Sequence, residues 1–144
     1  MKHLSEFIQE HLSTPVDCKA FIIIKPGFLQ YADEIFEYCT DKGFIMHDHT
    51  NPIKLTDKQI QELYGCHSKE DWYDDLCKYM GSDNIIAAEF VFDFDKHPGT
   101  NTIALMKDIK QHFRDKYGKD EMKNCMHSSD SLENVQREGK IIFN

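Results

Sequence analysis

The sequence predicts an α+β domain: a four-stranded antiparallel sheet with helices on one face, in the order β-α-β-β-α-β. Two kinds of segment carry that reading. The apolar runs at 20–25 (AFIIIK) and 84–94 (NIIAAEFVFDF) are short, rich in β-branched and aromatic residues, and followed by turn formers. Segments 29–41 and 102–117 instead repeat their apolar residues at helical spacing. The 144 residues, 16.9 kDa, fit one domain over 1–144. A chain of that size buries roughly two-thirds of its unfolded surface, enough for a core without staples.

Along the chain, Leu4, Phe7, Ile8 and Leu12 predict a short amphipathic helix in an N-terminal extension, 1–15, closed by Pro15. Residues 20–25 read as a buried strand, ended by Pro26-Gly27. The helix over 29–41 carries Tyr31, Ile35, Tyr38 and Cys39 on one face, with Gly43 as its C-terminal stop. Residues 44–50 alternate and read as a second strand. Thr56 and Gln59 form a capping box that opens a helix through Leu63 and Tyr64. Ser68 is expected to cap another helix, through Trp72, Leu76 and Met80. The long strand 84–94 is followed by a turn at Pro98-Gly99 and by a helix with Ile103, Met106, Ile109, Lys110 and Phe113 on one side. A short strand at 124–128 leads to Ser131, the cap of a last helix reaching Ile142. Without the two extra helices this order is the ferredoxin-like arrangement, a fold that hosts many functions.

Composition excludes several classes. With 40% hydrophobic and 29% charged residues the chain is neither disordered nor low-complexity. The net charge of −8 argues against a general nucleic-acid or anionic-membrane binder, while leaving room for a small phosphorylated ligand held by a few local cations. No apolar run reaches the roughly 18 residues of a membrane span. The start mixes Lys2, Glu6 and Glu10 with its apolar residues, unlike a secretory signal. The cysteines Cys18, Cys39, Cys66, Cys77 and Cys125 are odd in number and lack C-x-x-C spacing, so reduced thiols in a cytoplasmic protein are expected. Of 17 basic residues only Arg114 and Arg137 are arginines, which marks both as places that use a planar, multi-donor cation.

The richest segment for chemistry is 124–131. His127 lies among small hydroxyl residues just before a helix start, and Glu138 follows eleven residues later, far enough to fold back toward the imidazole. A carboxylate on one ring nitrogen fixes the tautomer and leaves the other as a nucleophile. The alternative reading is a satisfied structural histidine. His47 and His49 share a strand face as a candidate metal pair, but no third ligand is evident and a polar strand face is the plainer reading.

Asn124, His127, Ser128, Ser129, Asp130 and Ser131 together resemble the active-site signature of nucleoside diphosphate kinases, N-x-x-H-G-S-D-S, and Glu138 falls where that family carries a glutamate. Ser128 in place of glycine is the departure inside the motif. The likeness extends from Ala20 to Phe143: Lys25-Pro26 resembles the lysine-proline after the family's first strand, Tyr64 and Trp72 fall at its tyrosine and base-stacking positions, and Arg114 lies ten residues before Asn124, as the family arginine does.

The resemblance implies a ping-pong transfer of the γ-phosphate of a nucleoside triphosphate to a diphosphate through phosphorylated His127. Glu138 and Ser129 would orient the imidazole. Lys25, Tyr64 and Arg114 would meet the phosphates, with Mg²⁺ carried by the nucleotide rather than held in a metal site. Asn124 would bond the ribose and Trp72 would stack on the base. It further implies nucleoside di- and triphosphates as partners and a dimer-based homo-oligomer. A second family arginine has no counterpart, and Lys107 is its expected replacement. The stretch that precedes the family's other arginine is shortened here. Loss of one arginine–phosphate contact costs about 2–3 kcal/mol, so a slow enzyme, or a nucleotide-binding regulatory module of the same fold, is the alternative. A structural interaction domain without nucleotide is the third reading.

Overall fold

The computed structural model describes residues 19–143. The expected N-terminal helix and Cys18 lie outside the described residues. The elements run β1 (Lys19–Ile24), α1 (Ala32–Asp41), β2 (Phe44–His49), α2 (Asp57–Tyr64), α3 (Tyr73–Met80), β3 (Ile86–Phe92), α4 (Thr102–Tyr117), β4 (Met126–Ser128) and α5 (Leu132–Phe143). Single 3₁₀ turns at Leu29–Tyr31 and Gly65–His67 precede α1 and follow α2. The strands form one four-stranded sheet of order β2-β3-β1-β4, antiparallel throughout. This is the ferredoxin-like α+β order.

The sheet is covered on both faces, where helices on one face were expected. Ile22 and Ile24 of β1 pack with Ile35 and Cys39 of α1 and with Met106, Ile109 and Phe113 of α4. Phe21 and Ile23 point the other way, onto Ile60 and Leu63 of α2, Leu76 and Met80 of α3, and Val135 and Ile142 of α5. A strand buried on both faces has no polar side to show. That is why 20–24 read as an unbroken apolar run. At the sheet's edge β2 does alternate, from buried Phe44 to exposed Ile45.

Local signals fixed most boundaries. Thr56 and Gln59 form the expected capping box at α2. Asn101 caps α4, which spans the expected 102–117. The Ser131 hydroxyl accepts from the Asn134 amide at 3.1 Å and starts α5. Ser68 does not cap α3: its amide closes the preceding 3₁₀ turn onto the Gly65 carbonyl, and the helix begins only at Tyr73, with Trp72 at the N-cap. Asp74 and Asp75 in the first turn of α3 suit the positive end of the helix dipole. The alternation expected to align His47 with His49 is interrupted by a register shift between Met46 and Asp48. Among the described residues no three His, Cys, Asp or Glu side chains gather as a metal-ligand set. Nor is any described helix long and apolar enough to cross a membrane.

Gly43 joins α1 to β2 at φ +111°, and a Cβ there would come within 3.0 Å of the Phe92 ring and 2.7 Å of His97. Both the left-handed backbone and the crowding oppose any side chain. Gly43→Ala is expected to lose about 2 kcal/mol or more of stability, read as a lower urea midpoint at unchanged slope. An unaltered midpoint would show that the turn relaxes freely.

Candidate active site

β4 is three residues long and lies at the sheet edge beside β1. In the antiparallel register His127 stands opposite Ile23, so the imidazole shares the face of Phe21 and Ile23 and looks toward α2 and α5. Lys25 lies two residues past Ile23, on that same parity, and its amide donates to the Cys125 carbonyl at 3.0 Å. Register therefore places Lys25 diagonally from His127, a residue separation of roughly 7–8 Å with the Cβ atoms somewhat closer.

α5 begins directly after this strand. Its buried stripe is Val135, Glu138, Gly139 and Ile142, so the helical period carries a carboxylate into the core. Glu138 is 3% exposed. A buried charge must be partnered. The His127 Nε2 lies 2.6 Å from Glu138 Oε1, the Ser129 hydroxyl donates to the same oxygen at 2.8 Å, and Arg137 Nη2 stands 3.8 Å from Oε2. A carboxylate acceptor at Nε2 puts the proton there and leaves the Nδ1 lone pair unprotonated in the neutral ring. Nδ1 makes no hydrogen bond to another described residue. The His127 side chain keeps 23% of its surface exposed, so the ring is accessible.

Tyr64, at the end of α2, meets the imidazole edge to face with centroids 5.9 Å apart. Its hydroxyl is buried and has no hydrogen-bond partner among the described residues. Burial, reinforced by the Glu138 charge, pushes the phenol well above its usual range, so it remains a neutral donor. An orphaned donor beside a carboxylate-oriented imidazole suits an incoming oxyanion.

The cations converge from β1 and α4. Lys25 is 8% exposed, donates from Nζ to the Met122 carbonyl at 3.3 Å, and has its pKa lowered to about 8, first by burial and then by Arg114 and Lys110. Lys110 is half-buried and shifts down through burial, Arg114 and Lys107. Lys107 is exposed and lines, with Lys110, Thr100, Asn101, Ser128 and Asp130, a cleft of about 750 Å³ at the start of α4. The Asp130 carboxylate accepts from Asn134 and feels both His127 and Lys110.

The apolar period of α4 places Lys110 with the inner helix face. The available signal was the spacing Lys107, Lys110, Arg114, which sets three cations on adjoining turns of one helix. Asn124 is buried, and its amide nitrogen donates to the Glu121 carbonyl rather than facing outward. Trp72 is 42% exposed and leans on His67 at 5.1 Å, outside the His127 group. Arg137 donates to the Asn134 side chain and to the Glu62 carbonyl, tying α5 to α2.

A ferredoxin-like domain with a carboxylate-oriented histidine on its edge strand defines the class of protein. The nucleoside diphosphate kinase family model matches residues 18–144, and the chain belongs to that family. It is 26% identical over 137 residues to the nucleoside diphosphate kinase of Persephonella marina, covering 87% of this chain and 92% of that protein. Identity to the enzyme of Thermosipho melanesiensis is 31% over 131 residues, 87% of this chain and 88% of that one. The fold matches the crystal structure of the Aquifex aeolicus nucleoside diphosphate kinase with a TM-score of 0.74 at 23% identity, over 88% of this chain and 94% of that one.

An unpartnered buried hydroxyl costs about 1–3 kcal/mol. Tyr64→Phe is therefore expected to raise the urea midpoint of the free protein. A fall in stability would show that the hydroxyl has a partner in the folded state.

Proposed function

We propose that the protein is a nucleoside diphosphate kinase, with His127 carrying the phosphoryl group between nucleotides. The observation that carries the reading is the 2.6 Å contact of His127 Nε2 with buried Glu138. In the first half-reaction the Nδ1 lone pair forms a bond to the γ-phosphorus, and the bond from that phosphorus to the β–γ bridging oxygen breaks. Its electron pair leaves on the nucleoside diphosphate. The proton stays on Nε2, where Glu138 stabilises the positive ring. An oxygen of a second diphosphate then attacks the phosphorus, and the electron pair returns to Nδ1.

Phosphoryl transfer asks for positioning and charge neutralisation more than for covalent help. Lys25, Arg114 and Lys107 supply positive charge, and Tyr64 donates to a phosphate oxygen. Ser129 steadies Glu138. Mg²⁺ arrives with the nucleotide. Trp72 offers its face to the base, a contact that tolerates any base, and Asn124 serves the ribose side. The functional unit is the single domain 1–144, acting in the cytoplasm as a dimer-based homo-oligomer.

A second reading is a nucleotide-binding module with little turnover. The committed amide of Asn124 and the lysine at the expected second-arginine position favour it. Tight ADP–Mg²⁺ binding without exchange between ATP and a labelled diphosphate would select it.

Incubation with radiolabelled ATP is expected to leave acid-labile, base-stable label on the wild type and none on His127→Ala. A folded wild type that takes no label would end the kinase reading.

Lys25 gives a pH signature. Its pKa of about 8 lies below the ordinary 10.5, so the charge is lost as pH rises through about 8. Affinity for ADP–Mg²⁺ is expected to fall about tenfold between pH 7 and pH 9.5, the weight of one charged hydrogen bond. In Lys25→Met the profile should flatten across that window. Stability runs the opposite way. The unfolded chain binds more protons between about pH 8 and 10.5, so unfolding free energy rises with pH there. The gap from 10.5 to about 8 corresponds to about 3 kcal/mol of unfavourable charge burial. Lys25→Met is accordingly expected to be more stable than wild type at pH 7, and a less stable variant would show that the charge is satisfied internally.

A further inference from the structure

We propose that Lys110 is a phosphate-binding residue, the middle rung of a cation ladder along α4 that grips the polyphosphate between Arg114 and Lys107. This rests on the kinase reading above and adds a residue to it. Lys107, Lys110 and Arg114 are spaced three and four residues apart, so they share one side of the helix. Seven residues of helix extend about 10 Å, the scale of an extended di- or triphosphate chain. The ladder begins at Lys25, which feels Arg114 and Lys110, and ends at the cleft that Lys107 and Lys110 line with Ser128 and Asp130.

The group lacks compensation. Among the described residues none of Lys25, Lys107, Lys110 and Arg114 forms an ion pair, whereas Lys19, Lys58, Lys116 and Arg137 each do. Two carboxylates face the group: Asp130, on the Lys110 side, accepts from Asn134 at 2.7 Å, and Asp120, on the Lys25 side, accepts from the Met122 and Lys123 amides. In a chain of net charge −8, acids are plentiful, yet none among the described residues forms an ion pair with this cluster. Crowded cations disfavour one another's charge, and burial adds to the penalty at Lys110. A cluster that costs the fold and has no internal ion-pair partner is suited to an incoming anion. Lys110 is half-buried where Lys107 is exposed, so its field is the less screened of the two.

Lys110→Met keeps the stem and removes the charge. Calorimetric titration with ADP–Mg²⁺ and with inorganic triphosphate is expected to show affinity for both probes reduced about tenfold or more, with weaker salt dependence. Lys110→Arg should restore most of it. The urea midpoint of Lys110→Met should equal or exceed that of wild type, because like-charge repulsion is relieved. Lys110→Gln provides the same comparison with a polar stem.

Unchanged affinity for both probes in Lys110→Met, or no binding of either probe to wild type, would overturn the assignment. So would a loss of stability in step with the loss of binding in both neutral variants, which marks a structural role. The two readings fail separately. A wild type without phosphohistidine whose ADP affinity still drops in Lys110→Met keeps the ladder and loses the kinase. Normal labelling with unchanged affinity in the variant keeps the kinase and loses the ladder.

Discussion

A carboxylate cannot sit on the apolar stripe of a helix without partners, and that constraint at Glu138 organises the site. Its hydrogen bonds come from His127 on β4 and Ser129 just beyond it. They join a three-residue edge strand to the helix that follows, so the docking of α5 and the orientation of the imidazole are one arrangement. Gly139 leaves room on the same helix face for the Glu89 side chain of β3, whose Oε2 would lie 2.9 Å from a Cβ there. Buried acid and fixed tautomer therefore depend on one another. An apolar residue at 138 would suit the core and leave His127 free to turn.

Tyr64 and Lys25 extend the same logic. Each is buried with its polar end poorly served, one by nothing among the described residues and the other by a single carbonyl. Burial keeps the phenol protonated and lowers the affinity of the lysine for its proton. At both positions stability and the proposed phosphate binding pull in opposite directions, as is common where a site is held ready for a ligand. The core clusters on the two faces of β1 supply the stability against which these local costs are borne.

The parts of this arrangement that follow from local chemistry were legible in the sequence. Thr56 with Gln59, Asn101 and Ser131 bond the amides of their own first turns, so each helix start is written in three or four residues. The pairing of His127 with Glu138 was legible through its spacing and through the signature around it. Long-range features were not. Two helical layers cannot be read from β1, since a fully apolar strand looks the same whichever helices cover it. Ser68 had the chemistry of a cap but was taken up by the preceding 3₁₀ turn. The register shift after Met46 changes which β2 residues share a face, and nothing in His47-Asp48-His49 announces it. Lys110 was hidden because its helix position borders the core residues Met106, Ile109 and Phe113.

The long helix before β4 bears most directly on how the cations are presented. Arg114 projects from the last turns of a 16-residue helix rather than from a loop. The end of that helix is pinned: the Tyr117 ring stacks on Tyr31 with centroids 3.8 Å apart, and its hydroxyl donates to Glu34 at 2.6 Å. Lys116 bonds the other Glu34 oxygen at 2.8 Å. On the inner side Phe113 is fully buried and its carbonyl accepts from Cys125 Sγ, next to the start of β4. A cation on such a helix loses little freedom when a phosphate arrives, because packing has already fixed its backbone. A guanidinium on a mobile loop would lose more. Lys107 and Lys110 sit on the same support. One rigid helix fixes the backbone spacing of the three cations, and their long side chains supply the remaining adjustment to the anion proposed to bind there.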